Sequence, residues 1–181
     1  EDIETAVITD VLVRAGVEVT LAAAGRVDDG VIVMARGLRV VVTRRAEDVC
    51  AAVAQGSEQF GAVVFPGGMP GAKTVGDDPA VRRCLKALAS RPEVCIGAIC
   101  AAPVFVLGPA KLLPPQATCF PALASKLPEG VTFLNQRVVE TDRVLLSQGP
   151  GTAFDFALAL VRRLCGESQR ASVARQLLVP E

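Results

Sequence analysis

Cys100 is the residue whose place in the sequence points most directly to chemistry. It lies in the stretch VCIGAICAAPVFVLG, residues 94–108, where an apolar strand is predicted to run straight into an apolar helix. A nucleophile elbow occupies such a junction and holds its reactive side chain in a strained turn that bulky neighbours would obstruct. The alanines at 98, 101 and 102 fit that turn. The alternative is an inert core thiol, because free cysteine is often fully buried.

Two glycine-rich loops complete the predicted site. The pair Gly67 and Gly68, in FPGGMPGA over 65–72, would let a backbone come close and donate N–H bonds to an oxyanion. The loop QGPGT, residues 148–152, also ends a predicted strand, and ligands of open α/β sheets bind at such loops. A helix beginning at Cys100 would stabilise its thiolate. We therefore expect the pKa of Cys100 to lie below the free value of about 8.5.

The chain contains no histidine. This excludes Ser-His-Asp and Cys-His catalysis within the chain, together with zinc sites that need imidazole. The cysteines form no CxxC pair, and most lie in apolar or helix-like segments, as is typical of a protein from the reducing cytosol. They are Cys50, Cys84, Cys95, Cys100, Cys119 and Cys165. We expect neither a metal nor a cofactor, and a cytoplasmic location, with the mitochondrion and the nucleus as alternatives.

Composition argues against polyanionic and membrane partners. The 19 basic and 19 acidic side chains balance, and the chain has seven Phe but neither Trp nor Tyr. Without a net positive field or a set of stacking platforms, we expect no nucleic-acid binding. No apolar run reaches the roughly 18–20 residues of a membrane-spanning helix, so we expect no membrane partner.

Helical and extended segments alternate along the chain. Asp78 is predicted to cap a helix that begins at Pro79. Val-rich strands alternating with helices predict an α/β sandwich, with a mostly parallel sheet and helices on both faces, in a single domain over 1–181. Helices are predicted over 2–16, 46–56, 77–90 and 149–164, strands over 17–24, 38–43, 61–68 and 94–99, and a hairpin over 136–147.

The predicted order of elements begins inside a helix. A doubly wound sheet normally starts with a strand that becomes central, and a sheet lacking that strand would leave two neighbours unpaired. We therefore expect an apolar strand of about ten residues upstream of residue 1.

Several segments together resemble the PfpI/ThiJ superfamily, and within it the DJ-1 branch, over essentially the whole chain. The segments are EDIET at 1–5, VRAGVEVT at 13–20, ARG at 35–37, VVFPGGMPGA at 63–72, AICAAP at 98–103 and GPGTAFDFALALV at 149–161. The resemblance implies a flavodoxin-like doubly wound sandwich, usually a homodimer, whose first helix follows the central strand. The outer stripe of that helix, Ile3, Val7 and Val11, is then expected to be covered by the partner.

The resemblance also implies roles for individual residues. Cys100 is the reactive thiol, and Glu4 is the carboxyl that faces it. The backbone N–H groups of Gly68 and Ala101 form an oxyanion pocket, and Arg36 lies near the dimer-related side of the site. Two adjacent negative charges disfavour each other, so the pKa of Glu4 should be raised. A protonated Glu4 can then act as a proton shuttle.

The chain departs from the family pattern at three positions around the predicted site. Phe120, in TCFPA, replaces the usual histidine, so a catalytic triad is not available. Met69 follows the glycine pair where asparagine is common, so Gly67, Met69 and Phe120 should line a more apolar pocket. Ala101 stands where peptidase members carry histidine, which argues against peptidase activity.

By resemblance, the chain is a cofactor-independent glyoxalase that converts small α-oxoaldehydes such as methylglyoxal to lactate, with related protein deglycase chemistry. The alternative is a redox-sensing, chaperone-like oxidative-stress protein in which Cys100 is oxidised without significant catalysis. Phe120 at the histidine position strengthens that alternative. Whether Cys119 acts as a resolving thiol stays open.

Overall fold

The computed structural model describes residues 1–180 except 26, 28 and 43. Its α-helices are α1 (Asp2–Arg14), α2 (Ala46–Gln55), α3 (Gly71–Asp77), α4 (Pro79–Ala89), α5 (Ala153–Cys165) and α6 (Glu167–Gln176). Shorter turns are the π-helix Pro103–Leu107 and the 3-10 helices Pro121–Lys126 and Pro150–Thr152. The strands are β1 (Ala22–Ala23), β2 (Val31–Val33), β3 (Arg39–Val41), β4 (Arg44–Arg45), β5 (Ala62–Phe65), β6 (Cys95–Ile99), β7 (Gln116–Ala117), β8 (Thr132–Phe133), β9 (Val138–Glu140) and β10 (Val144–Ser147).

The main sheet has the strand order β5-β6-β10-β9. Strands β5, β6 and β10 run parallel, with Val64 opposite Gly97 and Ala98 opposite Leu146. Strand β9 pairs antiparallel with β10 and forms the hairpin predicted over 136–147. The mostly parallel α/β sheet predicted from the sequence is thus confirmed.

Helices cover both faces of this sheet. Successive strand residues point to opposite faces, and in β10 Leu145 packs with α1 and α5, whereas Leu146 packs with α4 and the π-helix. Helix α4 begins as predicted, because the Asp78 carboxylate accepts a hydrogen bond from the Ala80 N–H at 2.8 Å. The doubly wound sandwich is confirmed, and it brings the carboxyl ends of β5, β6 and β10 to one edge.

The strand predicted over 17–24 is largely wrong. Only Ala22–Ala23 pairs, in parallel with β4, while residues 17–21 have no strand assigned. A groove of about 340 Å³ separates 17–21 from β5, with Val17, Val19, Leu21, Ala62 and Val64 among its lining residues. The physical reason is that no described strand lies between the two segments, so neither has a partner on that side.

Glu1 lies beside the carboxyl end of β5. Its backbone nitrogen donates to the Gly67 carbonyl oxygen at 2.8 Å. Residues placed before Glu1 and running alongside β5 would therefore enter the groove. The strand expected upstream of residue 1 stays a prediction.

Other elements differ from the sequence prediction in smaller ways. Residues 39–41 pair antiparallel with β2 in a separate hairpin rather than joining the parallel sheet. The last residue of the strand predicted over 38–43 lies outside the described residues. Helix α1 ends at Arg14, and a 3-10 turn precedes α5. Helices α3 and α6 were not predicted, because α3 is short and glycine-containing and α6 buries only Val173 and Ala174.

Candidate active site

Cys100 occupies a strained turn directly after β6. Its φ is 64°, a left-handed conformation that residues other than glycine rarely adopt. Two backbone hydrogen bonds fix the turn: the Cys100 N–H donates to the Ser147 carbonyl at 3.0 Å, and the Phe120 N–H donates to the Cys100 carbonyl at 2.8 Å. The side chain is 9% exposed. The turn therefore has the geometry expected of an elbow and presents a sulfur with narrow access to solvent.

The helix expected to begin at the thiol starts later. Ala101 is in the turn, and a single-turn π-helix spans Pro103–Leu107. A helix this short carries little macrodipole, since the effect depends on aligned peptide units. Stabilisation of a thiolate here rests on individual N–H groups rather than on a helix terminus.

The loop after β5 packs directly on Cys100. A Cβ at Gly67 would lie 2.6 Å from the Cys100 Cβ and 2.9 Å from the Ala101 nitrogen. Gly68 has a φ of 85°, and a Cβ there would lie 2.6 Å from the Glu1 nitrogen. Both positions require glycine, because any side chain would separate the loop from the thiol or from α1. This close approach places the Gly68 N–H near the Cys100 sulfur, and both it and the Ala101 N–H favour the thiolate.

Glu4 is fully buried on α1 beside the thiol. Its Oε2 accepts a hydrogen bond from the Gly67 N–H at 2.7 Å. Its Oε1 has no partner of ordinary hydrogen-bond geometry among the described residues and is available to the neighbouring Cys100 side chain. Gly67 thus touches both members of the pair. The structure brings together Glu4, Cys100, Gly68 and Ala101, as the sequence-based interpretation expected.

Burial controls the titration of this pair. Burial, followed by the charge of Glu4, raises the pKa of Cys100 to about 12, although the Gly68 and Ala101 N–H groups oppose the shift. The expectation of a lowered Cys100 pKa is therefore wrong, because desolvation and the carboxylate outweigh the donors. The pKa of Glu4 is raised as expected. Its main cause is burial, partly offset by the hydrogen bond from Gly67.

Phe120 and Gly149 complete the wall beside the sulfur. The Phe120 side chain is 43% exposed. A Cβ at Gly149 would lie 3.5 Å from the Phe120 ring and 4.0 Å from the Cys100 sulfur. The Gly149 N–H donates to the Thr152 hydroxyl at 3.1 Å, which fixes the loop. The glycines in QGPGT pointed to this loop, but which of them approaches the thiol was not predicted. Met69 is half exposed.

Arg36 lies beside the start of α1 and is largely exposed. Its Nε is 3.7 Å from a Glu1 carboxylate oxygen, and its backbone N–H donates to the Asp2 carboxylate at 2.8 Å. Asp2 also accepts from the Leu38 N–H at 2.9 Å, so it anchors the 36–38 turn to α1. Sequence reasoning missed this role of Asp2. A contribution of Arg36 across a dimer stays a prediction.

The stripe predicted on the outer side of α1 is only partly outward. Ile3 is 53% exposed and Val7 half-buried, but Val11 is completely buried in the protomer's own core. The reason is that α1 packs against α5, and Val11 is buried in that interface.

Cys119 is fully buried next to the site. Burial raises its pKa to about 11, and its thiol donates weakly to the Phe120 carbonyl at 3.5 Å. Neither property favours a resolving thiol, which needs access and thiolate character.

Across residues 1–25, 27, 29–42 and 44–180, no cluster of three or more His, Cys, Asp or Glu side chains could hold a metal ion. The helices in those same ranges include none with the length and apolar character needed to cross a membrane.

The fold and this site together define a class of protein: a flavodoxin-like sandwich with a cysteine in a left-handed turn, a buried carboxyl beside it and backbone donors around the sulfur. The chain belongs to the DJ-1/PfpI family, whose sequence profile matches residues 1–163.

Two relatives and one solved structure show the extent of the similarity. The chain is 34% identical to the glutathione-independent glyoxalase DJR-1.2 of Caenorhabditis elegans over 178 residues, which is 98% of this chain and 89% of that protein. It is 32% identical to the Parkinson disease protein 7 homolog of Danio rerio, covering 100% and 93% of the two chains. Oxidized Toxoplasma gondii DJ-1 superposes with a TM-score of 0.88 at 32% identity, covering 100% of this chain and 94% of that one.

Proposed function

We propose that this protein is a cofactor-independent, cysteine-dependent glyoxalase. The observation that carries the proposal is the Glu4–Cys100 pair, in which a buried carboxyl lies beside a thiol held in a left-handed turn. Relatives named as glyoxalases from Caenorhabditis elegans and Schizosaccharomyces pombe support the same activity.

The first step is addition of the Cys100 sulfur to the aldehyde carbon of an α-oxoaldehyde. The proton of the thiol passes to Glu4, whose buried carboxyl favours the neutral form. The carbonyl oxygen becomes an alkoxide, and the N–H groups of Gly68 and Ala101 lie beside the reacting sulfur to stabilise it. The alkoxide then takes the proton from Glu4 and gives a hemithioacetal.

The second step moves a proton between two carbons. The Glu4 carboxylate removes the proton from the former aldehyde carbon, and an enediolate forms with its charge on the neighbouring oxygen. The hydroxyl proton of the former aldehyde carbon passes to that oxygen, and Glu4 returns its own proton to the adjacent carbon, which gives the thioester of a 2-hydroxy acid. Water attacks this thioester, the carbon–sulfur bond breaks, and lactate leaves with Cys100 restored as a thiol. The hydrogen bond from Gly67 to Oε2 holds the carboxyl in place during both transfers.

The access to the sulfur favours small substrates. Cys100 is 9% exposed, and Phe120 with Gly149 closes one side. Methylglyoxal fits such an opening, whereas a glyoxal adduct on a protein side chain must extend to reach the sulfur. Deglycase chemistry is the second reaction that this site supports.

A D-lactate assay on the purified protein with methylglyoxal tests the proposal. We expect turnover that disappears in Cys100→Ser and falls at least about 100-fold in Glu4→Gln, because the general acid–base group is lost. Cys165→Ser is the matched control, since Cys165 is exposed and outside the site. Turnover that survives in Cys100→Ser would overturn the proposal.

The second candidate function is redox sensing through Cys100. The observation in its favour is that Glu4 has a free oxygen, Oε1, at the sulfur. Protonated Glu4 can donate to a sulfinate oxygen and hinder further oxidation. Intact mass after mild peroxide distinguishes the candidates: addition of two oxygens without any glyoxalase turnover supports the sensor.

We further propose a homodimer formed through the face around α1. Ile3, Met69 and Leu38 are large apolar side chains that are about half exposed on or near this face. The family resemblance places Arg36 near the partner's site, and its guanidinium is largely exposed beside Glu1 on this face. Light scattering at micromolar concentration tests the dimer, and a monomer would contradict it.

The free cysteines fit a reducing compartment. All six are unpaired in the structure, including the exposed Cys165. Thiols are kept reduced in the cytosol, so we propose a cytoplasmic location. Fractionation of the tagged protein tests it.

A further inference from the structure

A pair of cysteines lies on the opposite side of the sheet from α1. Cys50 is on α2 and Cys84 is on α4, and these two helices pack against each other. Cys84 belongs to a buried apolar cluster with Val53 and Leu88, and Cys50 packs against that cluster. Cys50 shares a helix face with Val53, three residues on, as Cys84 does with Leu88, four residues on. Both thiols therefore face the α2–α4 interface.

The two thiols lie close enough to change each other's titration. Their interaction raises the pKa of Cys50 and lowers the pKa of Cys84, so the proton stays on Cys50 and negative charge is favoured on Cys84. Arg91 adds to this effect on Cys84. Its guanidinium is fixed beside the pair by a hydrogen bond of 3.0 Å to the Val53 carbonyl at the end of α2.

These contacts distinguish the pair from the other cysteines. Burial raises the pKa of Cys95 and of Cys119, so both thiols are held neutral. Cys100 faces a carboxyl rather than a second thiol. Cys50 is only partly buried, so one thiol of the pair is accessible to a small oxidant, and Cys84 lies beneath it.

We propose that Cys50 and Cys84 form a redox-active dithiol, which a peroxide closes to a disulfide that links α2 to α4. The Cys84 thiolate attacks one peroxide oxygen, the O–O bond breaks, and Cys84 becomes a sulfenic acid while the other oxygen leaves as hydroxide. The Cys50 sulfur then attacks the Cys84 sulfur. The S–O bond breaks, the S–S bond forms, and the hydroxyl leaves as water with the Cys50 proton.

The bridge would close a loop over residues 50–84, which contains β5 and the Gly67–Gly68 turn. A disulfide that closes such a loop restricts mainly the unfolded chain. The oxidised protein should therefore resist thermal unfolding better than the reduced protein, while its active-site loop stays in place.

The test uses the full chain with Cys100→Ser, so that oxidation at the active site does not compete. After treatment with hydrogen peroxide and blocking of free thiols, a non-reducing tryptic digest is analysed by mass spectrometry. We expect peptide 46–73 linked to peptide 84–86, with a mass lower by about 2 Da than the sum of the two. We also expect Tm to rise by about 5–10 °C and to return after reduction.

Two further variants control the experiment. Adding Cys50→Ser should abolish both the linked peptide and the Tm rise, and this half-buried position tolerates serine. Adding Cys165→Ser should change neither. The proposal is overturned if Cys50 and Cys84 are both still fully alkylated after a peroxide dose that oxidises Cys100 in the unmodified chain. It is also overturned if Cys84 links to a different cysteine.

Discussion

The Gly67 backbone packs directly against the Cys100 side chain, because a Cβ on Gly67 would lie 2.6 Å from the Cβ of Cys100. The same glycine donates its N–H to Glu4 at 2.7 Å. One residue without a side chain thus sets the distance between the carboxyl and the thiol. The arrangement of the site depends on the absence of an atom at position 67.

Gly67→Ala should therefore lower both stability and activity strongly, although it adds only one methyl group. The added methyl group would push the loop from Cys100 and Ala101 and weaken the hydrogen bond to Glu4. We expect a loss of about 1–3 kcal/mol in the free energy of unfolding and of about 100-fold in kcat/KM. Urea unfolding and the lactate assay measure the two effects.

Gly151→Ala is the matched control for this substitution. It lies in the neighbouring QGPGT loop, and a Cβ there would meet no atom within 4 Å. The control should keep both stability and activity. Equal losses in the two variants would contradict the role assigned to Gly67.

Glu4→Gln should make the protein more stable and less active. Burial raises the pKa of Glu4 in the folded state, so the native protein binds this proton more tightly than the unfolded chain. The resulting contribution to the free energy of unfolding is fully present at pH values below the pKa of Glu4 in the unfolded chain. It is lost as pH rises through the pKa of Glu4 in the folded protein. Glutamine has no charge to desolvate, and it can still accept from Gly67. At neutral pH we therefore expect Glu4→Gln to have the higher free energy of unfolding.

Urea unfolding from pH 4 to pH 8 tests whether Glu4→Gln gains stability over the unmodified protein with rising pH. The difference in stability between Glu4→Gln and the unmodified protein should grow as pH rises through the folded pKa of Glu4. Glu129→Gln, in an exposed loop, should show no such trend. A difference that shrinks with rising pH would mean that Glu4 is stabilised as a carboxylate.

Phe120→His should increase glyoxalase activity. The Phe120 backbone is already bonded to Cys100, and its ring lies against the Gly149 loop beside the sulfur. An imidazole there would accept the thiol proton, so we expect kcat/KM to rise by about tenfold or more and to acquire a pH dependence near 6.5.

Phe154→His is the comparison for that gain of activity. Phe154 is on α5 and has nearly the same exposure, 42%. It should leave the pH profile unchanged. If both variants behave alike, the Phe120 ring does not occupy the position from which a base would act.

An apolar strand fused before Glu1 should stabilise the protein. The backbone nitrogen of Glu1 is bonded to Gly67 at the end of β5, and the groove between β5 and residues 17–21 is lined mostly by apolar side chains. About ten β-branched residues would fill the groove, and their burial should add more than about 3 kcal/mol to the free energy of unfolding.

A fusion of equal length made of Gly and Ser should add little, because it has no apolar surface to bury. Hydrogen exchange should show new protection at Val64 and Val19 only with the apolar fusion. No gain in stability and no new protection would mean that the groove does not accept a strand.

The local elements were predictable because each has a local cause. Asp78 caps α4 through its own carboxylate, and the apolar run at 94–99 gives β6. Helix α6 was missed because its sequence is polar almost throughout, with only Val173 and Ala174 buried. The helix after Cys100 was placed too early, because hydropathy does not report the left-handed turn at that residue.

The sequence by itself determined the alternation of strands and helices, the lack of any histidine base and the presence of a cysteine at a strand end. The family resemblance added Glu4 as its partner. These are properties of residue type and spacing, which short-range sterics and periodicity translate into structure.

Only the tertiary structure decided the pKa of Cys100 and which side chains lie next to one another. The raised pKa of Cys100 reflects burial and the charge of Glu4, which lies 96 positions away in the sequence and reaches the thiol through the packing of α1. The proximity of Cys50 to Cys84 likewise depends on how α2 and α4 pack. Desolvation and charge–charge energies depend on distances in space, and in this fold the order of the strands in the sheet sets those distances.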